Sequence, residues 1–542
     1  MRMNTQEFKE KATTLIDDLK GVCANYGLGN DGNEFKIITQ VFLYKFLNDK
    51  FAHEIKRIEP AIAEADSWEV ALRKKSEDEY EMLLMQLEAG TARLKPKHFL
   101  SELYGKQNDA DFSTILDDTL LDIAALNSDI FSVKTNDGQR IVLFDQVTQY
   151  VSSQRDEFAK AIINKLIPFS FERIFDEKFD FYATMFEYLI KDYNKDGGGK
   201  YAEYYTPHAV AKIMASCLVA GEVQNVSCYD PAAGSGTLLM NLAHVIGENR
   251  CAIFTQDISQ KSSSLLRLNL ILNDLVHSIP NVIQGNAISK PYHRDGAVLR
   301  KFDYIVSNPP FKLDFSDFRD DLDTEVNKDR FFAGIPKVPN KAKDKMAIYL
   351  LFLQHIIHSL APNGKAAIVV PTGFITAQSG IDKKIRQHLV ENKMLGGVVS
   401  MPSNIFATTG TNVSILFIDA SNKEEVILID ASGLGEKIKE GKNQKTVLRP
   451  DEEEKIVATF NNKESIDDFS VAVNYEEIEA KNYSLSAGQY FEVRIEYVEI
   501  SAEDFAARIS ESSSRLTGLF KESDRLEIEI SKQLEGIKLN GE

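Results

Sequence analysis

Residues Cys228–Leu242 read CYDPAAGSGTLLMNL: an apolar run ending on an acid, a turn of small residues, then an amphipathic helix. The run VSCYD has the length and apolar content of a short buried strand that stops at Asp230. A tight loop, Gly234-Ser235-Gly236, leads into a helix that begins near Thr237. Glycines at such a turn let a ligand approach the backbone and set it against a helix N-terminus. The spacing is not the GxGxxG of dinucleotide binders, and it lacks the GK[ST] of a phosphate loop.

The same grammar continues on both sides. VSCYD, AIFTQDI, NVIQGN, FDYIVSN, KAAIVVP, LGGVVSMP and SILFIDA are candidate strands. PHAVAKIMASCLVAG, SGTLLMNLAHVIGEN, SSSLLRLNLILNDL and DKMAIYLLFLQHIIHSLAP are candidate helices. Strands alternating with helices from about 205 to 420 predict an α/β fold with a doubly wound, mostly parallel sheet. Before it, residues 1 to about 170 read as helical, with Phe35, Ile38, Phe42, Leu43 and Phe46 at helical spacing. Gly197-Gly198-Gly199 reads as a glycine stop and hinge.

After about 425 the chain is strongly charged, and its last 40 residues turn helical again. There Phe505, Ile509, Leu516, Leu519, Leu526, Ile530, Leu534 and Ile537 follow a seam of alternating 3 and 4 spacing, with Ser512 and Ser523 on two further steps. Such a seam suits packing on another long helix. The organisation expected is a helical N-terminal domain over 1–170, a catalytic domain over 171–425, a charged α/β extension over 426–495, and coiled-coil-like helices for subunit assembly over 496–542.

Bulk properties narrow the class. A chain of 542 residues, 43% of them hydrophobic, exceeds one core and should fold as about two to four units. No apolar run reaches the roughly 18 residues of a transmembrane helix, and MRMNTQEFKEKATTLIDDLK lacks the apolar block of a signal peptide. Cys23, Cys217, Cys228 and Cys251 are scattered without CxxC spacing. They read as buried thiols of a cytoplasmic protein, with no metal site. Lys+Arg 63 against Asp+Glu 81 gives a net charge of −18, the wrong sign for a protein that grips DNA unaided.

Three further strand ends carry polar chemistry. AIFTQDIS ends on Asp257, an acid placed to accept both ribose hydroxyls of a nucleoside cofactor. NVIQGNAIS ends at Gly285-Asn286, where an amide can read an adenine edge. YIVSNPPFKLD, Tyr304–Asp314, ends on two prolines that stop the ladder because neither offers an N–H, and leaves Phe311 at the strand's carboxyl end. Open α/β sheets bind their ligands at that end. Taken alone, Asn308-Pro309-Pro310-Phe311 is equally a rigid turn.

In order, YYTP, DPAAGSG, TQDIS, QGN and NPPF resemble the amino-methyltransferases of DNA that use S-adenosylmethionine. Within them the chain is similar to the modification (methyltransferase) subunit of type I restriction-modification systems. The likeness extends to GIPKVPNKAKDKMAIYLLFLQHIIHSL, GKAAIVVPTGFI, VVSMPSNIFATTGTNVSILFI and KNYSLSAGQYF. One departure stands out: relatives often carry Asp where Asn286 stands.

The resemblance implies a Rossmann-like S-adenosylmethionine-dependent methyltransferase domain with a helical N-terminal domain and a helical C-terminal tail. It implies methylation of adenine N6 after base flipping. Asn308, Pro309, Pro310 and Phe311 become the catalytic set: Asn308 and the Pro309 carbonyl accept the amine hydrogens, the prolines fix that carbonyl, and Phe311 stacks on the base. The cofactor set becomes Tyr204, Tyr205, Thr206 and Pro207 at the methionine end, with Asp230, Ala232, Gly234, Ser235, Gly236, Thr237, Asp257, Ile258, Asn286 and Ala287. No metal is called for. Thr206 is also expected to cap the next helix with Pro207 as its first residue.

Partners implied are double-stranded DNA, a DNA-specificity subunit, an ATP-dependent restriction subunit and a second methyltransferase subunit, without a membrane. A separate specificity subunit would supply the missing positive charge, and the C-terminal seam is the candidate grip on it. Other substrates for the same tetrapeptide are RNA amines and protein glutamine, and a methylase-fold scaffold without catalysis is the third alternative. Lys337, Lys341, Lys343 and Lys345 form a basic run within a long polar loop; they are either solvated or in contact with phosphate. PDEEEK, Pro450–Lys455, reads as a surface helix, and His208 and His355 as packing or surface residues.

Overall fold

Eleven strands make one sheet among the residues described by this computed structural model, which are 5–29, 32–175, 206–406, 412–440, 443–491 and 501–536. They are β1 (Val133–Thr135), β2 (Arg140–Ile141), β3 (Val226–Asp230), β4 (Cys251–Asp257), β5 (Val282–Gln284), β6 (Phe302–Ser307), β7 (Leu360–Pro371), β8 (Leu395–Ser400), β9 (Val413–Asp419), β10 (Glu425–Asp430) and β11 (Ser470–Asn474). Their spatial order is β11-β10-β8-β9-β7-β6-β3-β4-β5-β1-β2. From β7 through β1 every pairing is parallel, whereas β9 runs antiparallel to both its neighbours. The seven strands read from sequence are all present, and the mostly parallel α/β sheet is as expected.

Alternate side chains along a strand serve opposite faces, and the burial follows that period. In β7, Ala367 and Val369 join one apolar cluster while Ala366, Ile368 and Val370 join another. In β9, Val413, Ile415 and Phe417 face the first, and Leu416 and Ile418 the second. Each fully buried Val, Leu, Ile or Phe side chain among them contributes about 1.5–3 kcal/mol relative to exposure, so the sheet is the framework everything else leans on.

The first cluster extends into the N-terminal helices, of which α1 (Thr5–Asn25), α2 (Gly32–Ile58), α3 (Phe112–Leu126) and α4 (Arg155–Leu166) are the longest. Helix α2 is buried on nearly every side, Lys45 and Asp49 included, and these two pair at 2.9 Å. A helix buried all round is the axis of its bundle. Phe171 closes this bundle, its ring 5.1 Å from Phe42 and 5.4 Å from Phe46, and its N–H donates to the Asp49 carboxylate at 2.9 Å.

The helical reading of the first 170 residues leaves out one element. The hairpin β1–β2 leaves the bundle and joins the central sheet, with Lys134 opposite Ile283 and Thr135 opposite Gln284. Buried Arg267 secures it by donating to the carbonyls of Phe131, Ile141, Val142 and Leu143 at 2.8–3.3 Å.

Helices α5 (His208–Leu218), α6 (Thr237–Ile246) and α7 (Gln260–Leu272) cover the face that α1–α4 share; α8 (Tyr349–Ser359) and α9 (Gly380–Glu391) cover the other. Helix α10 (Pro450–Asn462), which contains PDEEEK, is a surface helix docked on α5 through Lys212–Glu453 at 2.9 Å. KNYSLSAGQYF is tied in by Arg386, whose Nε donates to the Tyr483 carbonyl at 2.7 Å.

The chain divides into two compact units, Met1–Phe491 and Glu492–Glu542. The second contains one long helix, α11 (Ala502–Gly536). Its seam residues Phe505, Ile509, Leu516, Leu519, Leu526 and Ile530 are 44–58% exposed. The Leu534 side chain, Ile537 and the glycine run at 197–199 lie outside the described residues. No described helix is long and apolar enough to cross a membrane.

Candidate active site

Strand order brings the motifs together. In sequence the strands run β3, β4, β5, β6, but in the sheet β6 lies on the far side of β3 from β4 and β5. The winding therefore reverses between β3 and β6, and the crevice at the carboxyl ends of the strands opens there. The glycine loop after β3 and Asn308-Pro309-Pro310-Phe311 after β6 share that crevice, although more than seventy positions separate them in the chain.

Two hydrogen bonds join the pieces. Asp230 Oδ1, at the end of β3, accepts from Ala232 N at 2.9 Å and from Ser307 Oγ, at the end of β6, at 2.8 Å. Asn308 Nδ2 donates to Thr206 Oγ1 at 3.2 Å, which brings Thr206 to the same corner. That use corrects the expected cap. Helix α5 begins at His208 with Pro207 in the capping position and no side-chain cap, because the buried Thr206 hydroxyl is turned to Asn308 instead. Tyr204 and Tyr205 lie outside the described residues.

The glycine loop is held from below. Gly234 and Gly236 take φ of +53° and +86°, and a Cβ on Gly236 would meet Leu266 Cδ1 at 2.3 Å. A side chain at Gly236 would be strained by that left-handed backbone and would have to displace the tip of Leu266. Asn269 Nδ2 donates to the Ser235 carbonyl at 2.8 Å, and the Ser235 and Thr237 hydroxyls lie 3.0 Å apart. Asp257 spans the next gap: one carboxylate oxygen accepts from Gly234 N at 2.9 Å, the other from Ser259 N at 2.8 Å. Beside it Ile258 is 68% exposed, an uncovered apolar side chain at the rim.

At the third strand end, Asn286 Oδ1 accepts from Ile288 N at 2.9 Å and Ser289 N at 3.1 Å. The carbonyl oxygen is thus spent on its own turn, which leaves Nδ2 as the group to face a ligand. Ala287 is buried, and its carbonyl accepts from Arg330 NH2 at 2.9 Å. Pro309 is buried, Pro310 exposed and Phe311 half-buried, its ring edge-on to Tyr349 with centroids 6.2 Å apart. The Tyr349 hydroxyl donates in turn to the Asp382 carboxylate.

The long loop after Phe311 is more ordered than its polarity suggests. Phe315, Leu322, Phe331, Met346 and Ile348 form a small core of their own with Ile288. Buried Arg330 anchors it, donating to the Ala287 and Ile288 carbonyls and, through Nε, to His355 Nδ1 at 3.1 Å. His355 Nδ1 therefore accepts, and Nε2 carries the proton and donates to Tyr229 Oη at 3.2 Å. Burial, reinforced by Arg330, holds this imidazole neutral, consistent with a packing role. Lys337, Lys341, Lys343 and Lys345 are exposed, and none forms a salt bridge among the described residues. Arg330, Ser307 and Tyr349 carry no sequence signal, being single polar residues without a motif. The hairpin did announce itself, since Asn136-Asp137-Gly138 is a turn sequence of the Asn/Asp-Gly kind.

Burial pushes the Asp230 carboxyl up to about 8; hydrogen bonds from Ala232 and Ser307 oppose this and the Asp257 charge adds to it. The folded protein thus binds a proton here that the unfolded chain releases near pH 4. Stability contributed at this site is largest below the unfolded pKa and is lost as pH rises toward 8. Asp230→Asn keeps an acceptor for both donors and cannot ionise. In thermal melts between pH 4.5 and 8.5, the variant is expected to lose this downward slope and to exceed the parent at the alkaline end. Parallel profiles would show that Asp230 does not titrate in this window.

The sequence profile of the family described as "N-6 DNA Methylase" matches residues 177–497, more than half of the 542. Among characterised proteins, the chain is 28% identical over 356 residues to the methylase subunit of type I restriction enzyme MpnII from Mycoplasma pneumoniae, covering 64% of this chain and 63% of that one. It is 28% identical over 398 residues to the methylase subunit of type I restriction enzyme MjaIX from Methanocaldococcus jannaschii, covering 69% and 66%. The chain thus spans just under two thirds of each of these relatives. Among solved structures, the type I restriction-modification methyltransferase subunit from Streptococcus thermophilus superposes with a TM-score of 0.71 at 23% identity, covering 90% of this chain and 100% of that one. At that identity the likeness is one of fold.

Proposed function

This chain belongs to the N-6 DNA methylase family, and from that premise we propose that it is the modification subunit of a type I restriction-modification system. Its reaction is transfer of a methyl group from S-adenosylmethionine to N6 of an adenine flipped out of double-stranded DNA. The observation that carries this reading is the corner where Asn308 meets Thr206 and Asp230 meets Ser307, because it ties the turn after β6 to the strand end that bears the glycine loop.

The residues fit the cofactor. Each Asp257 carboxylate oxygen accepts one backbone N–H and keeps a second lone pair, enough for two ribose hydroxyls. Ile258 offers an apolar surface to the adenine ring, and Asn286 Nδ2 a donor to its edge. Ala232, Gly234, Ser235, Gly236 and Thr237 give close access at the start of α6, with Asp230 orienting their loop. Tyr204 to Pro207 belong to the methionine end. When bound, S-adenosylmethionine supplies an electrophilic methyl group on a sulfonium.

The chain's own part is to ready the amine. The lone pair of adenine N6 is delocalised into the ring and is a poor nucleophile. Thr206 engages Asn308 Nδ2, so Oδ1 is the end left to accept one amine hydrogen; the Pro309 carbonyl accepts the other. Two acceptors on one amine draw it toward tetrahedral geometry and aim its lone pair. Pro310 limits the backbone at Pro309, which makes the clasp preorganised. Phe311, braced by Tyr349, stacks on the extruded base.

The net charge of −18 supports leaving most of the phosphate grip to a specificity subunit, which would also read the sequence, with Lys337, Lys341, Lys343 and Lys345 adding contacts near the flipped base. The exposed seam of α11 is the surface for that partner. Within this assembly a second methyltransferase subunit and an ATP-dependent restriction subunit complete the system, and the site of action is cytoplasmic.

The test is transfer of labelled methyl from S-adenosylmethionine to DNA, with and without an added specificity subunit. N6-methyladenine that depends on the added subunit is the expected product. Label on RNA or on protein glutamine alone would reassign the substrate, and absence of cofactor binding would leave only a scaffold.

A further inference from the structure

The turn that receives the adenine end of the cofactor is held from outside the catalytic sheet's own connections. Gly285 N donates to the Asp257 carbonyl at 2.8 Å, which ties this turn to the acid beside it. On one side, Arg330 fixes the carbonyls of Ala287 and Ile288. On the other side stands Asn136, at the tip of the β1–β2 hairpin contributed by the N-terminal region.

Asn136 is held in place by its backbone N–H and by both polar atoms of its side-chain amide. Its N–H continues the parallel ladder by donating to the Gln284 carbonyl at 3.0 Å. Its Oδ1 accepts from Gln256 Nε2 at 2.8 Å, and its Nδ2 donates to the Lys290 carbonyl at 3.2 Å. Gln256 Nε2 reaches the same Lys290 carbonyl at 2.8 Å, and Gln256 Oε1 accepts from Tyr292 N at 3.0 Å. The amide so held lies flat against Gly285: a Cβ there would fall 2.1 Å from Asn136 Oδ1 and 2.2 Å from its Cγ. A side chain this constrained cannot swing aside, so Gly285 is required by contact with Asn136 and not by its own backbone dihedrals.

We propose that Asn136 is a positioning residue for the adenine end of the cofactor site, holding the Gly285–Asn286 turn in its binding geometry, so that the site is complete only with the N-terminal hairpin seated on β5. This rests on the reading above that Asn286 and Ala287 face the cofactor's adenine. It makes cofactor affinity depend on a region that carries none of the cofactor motifs. Any ligand or subunit that shifts the N-terminal bundle is thereby coupled to cofactor binding through the Arg267-held hairpin.

The experiment is titration calorimetry on the full chain with two probes, S-adenosylmethionine and 5′-methylthioadenosine, which shares the adenosine end and lacks the amino-acid end. Asn136→Ala is expected to weaken both probes by the same factor, about tenfold, as loss of bridging hydrogen bonds implies. Gly285→Ala should weaken them more, since the new methyl group drives against the fixed amide. The double variant should bind better than Gly285→Ala alone, because removing the amide makes room for the methyl group. Asp137→Ala, an exposed neighbour in the same turn, serves as the control with parent affinity. The cycle separates positioning from general damage, since a merely structural loss would add rather than cancel. Parent-like binding by Asn136→Ala, or losses that simply multiply in the double variant, would overturn the role of Asn136. Failure of the unsubstituted protein to bind either probe would overturn the cofactor reading itself and this inference with it.

Discussion

Asn308→Ala is expected to lower methyl transfer by about a thousandfold or more at saturating S-adenosylmethionine, in line with the loss of a preorganised group aimed at the reacting atom. Cofactor affinity should stay near that of the parent. The split follows from position. Asn308 stands beyond the end of β6, and its side-chain amide donates to the Thr206 hydroxyl. The cofactor contacts proposed above run instead through Asp257, the glycine loop and the β5 turn, whose own hydrogen bonds do not involve Asn308. Alanine removes one of two acceptors on the amine and leaves N6 conjugated to its ring, while the sheet beneath is untouched. Single-turnover methylation with separately measured binding tests this. Turnover retained in the variant would remove Asn308 from catalysis.

Asp257→Ala should fail in the complementary way, with S-adenosylmethionine binding weakened about a hundredfold or more, because hydrogen bonds to a charged group are worth about 1.5–3 kcal/mol each. Two effects combine at this residue. The carboxylate pins Gly234 N and Ser259 N, and so fixes the loop and the start of α7 together. In the proposed site its remaining lone pairs serve the ribose. Burial raises the Asp257 pKa against those two backbone donors, a sign that the group is held partly out of water before any ligand arrives. Calorimetric titration is the measurement, and rescue of transfer at high cofactor concentration is the corollary. Binding equal to that of the parent would place the ribose site elsewhere.

These two residues, with the glycine loop between them, were legible because their signals are local. An acid at a strand end, glycines at a positive-φ turn and a proline pair that halts a ladder each declare themselves within a few positions. The Thr206 capping role was misjudged for a related reason. A Thr-Pro step before a helix satisfies the local rule, and only the return of β6 to the same corner gives the hydroxyl a better partner in Asn308. The loop after Phe311 reads from sequence only as long and polar, for want of apolar periodicity, yet buried Arg330 organises it by reaching three acceptors remote in sequence.

By itself, then, the order of residues determined which segments are strands and helices, which strand ends carry chemistry and in what succession, since these depend on period, breaker residues and side-chain type. Tertiary structure alone decided that β6 crosses to the far side of β3, that Asp230 meets Ser307, and that a hairpin from the N-terminal helices finishes the sheet beside Gly285. Those outcomes depend on contacts between groups 77 to more than 100 positions apart, and no local propensity encodes which distant partner a satisfied donor will find.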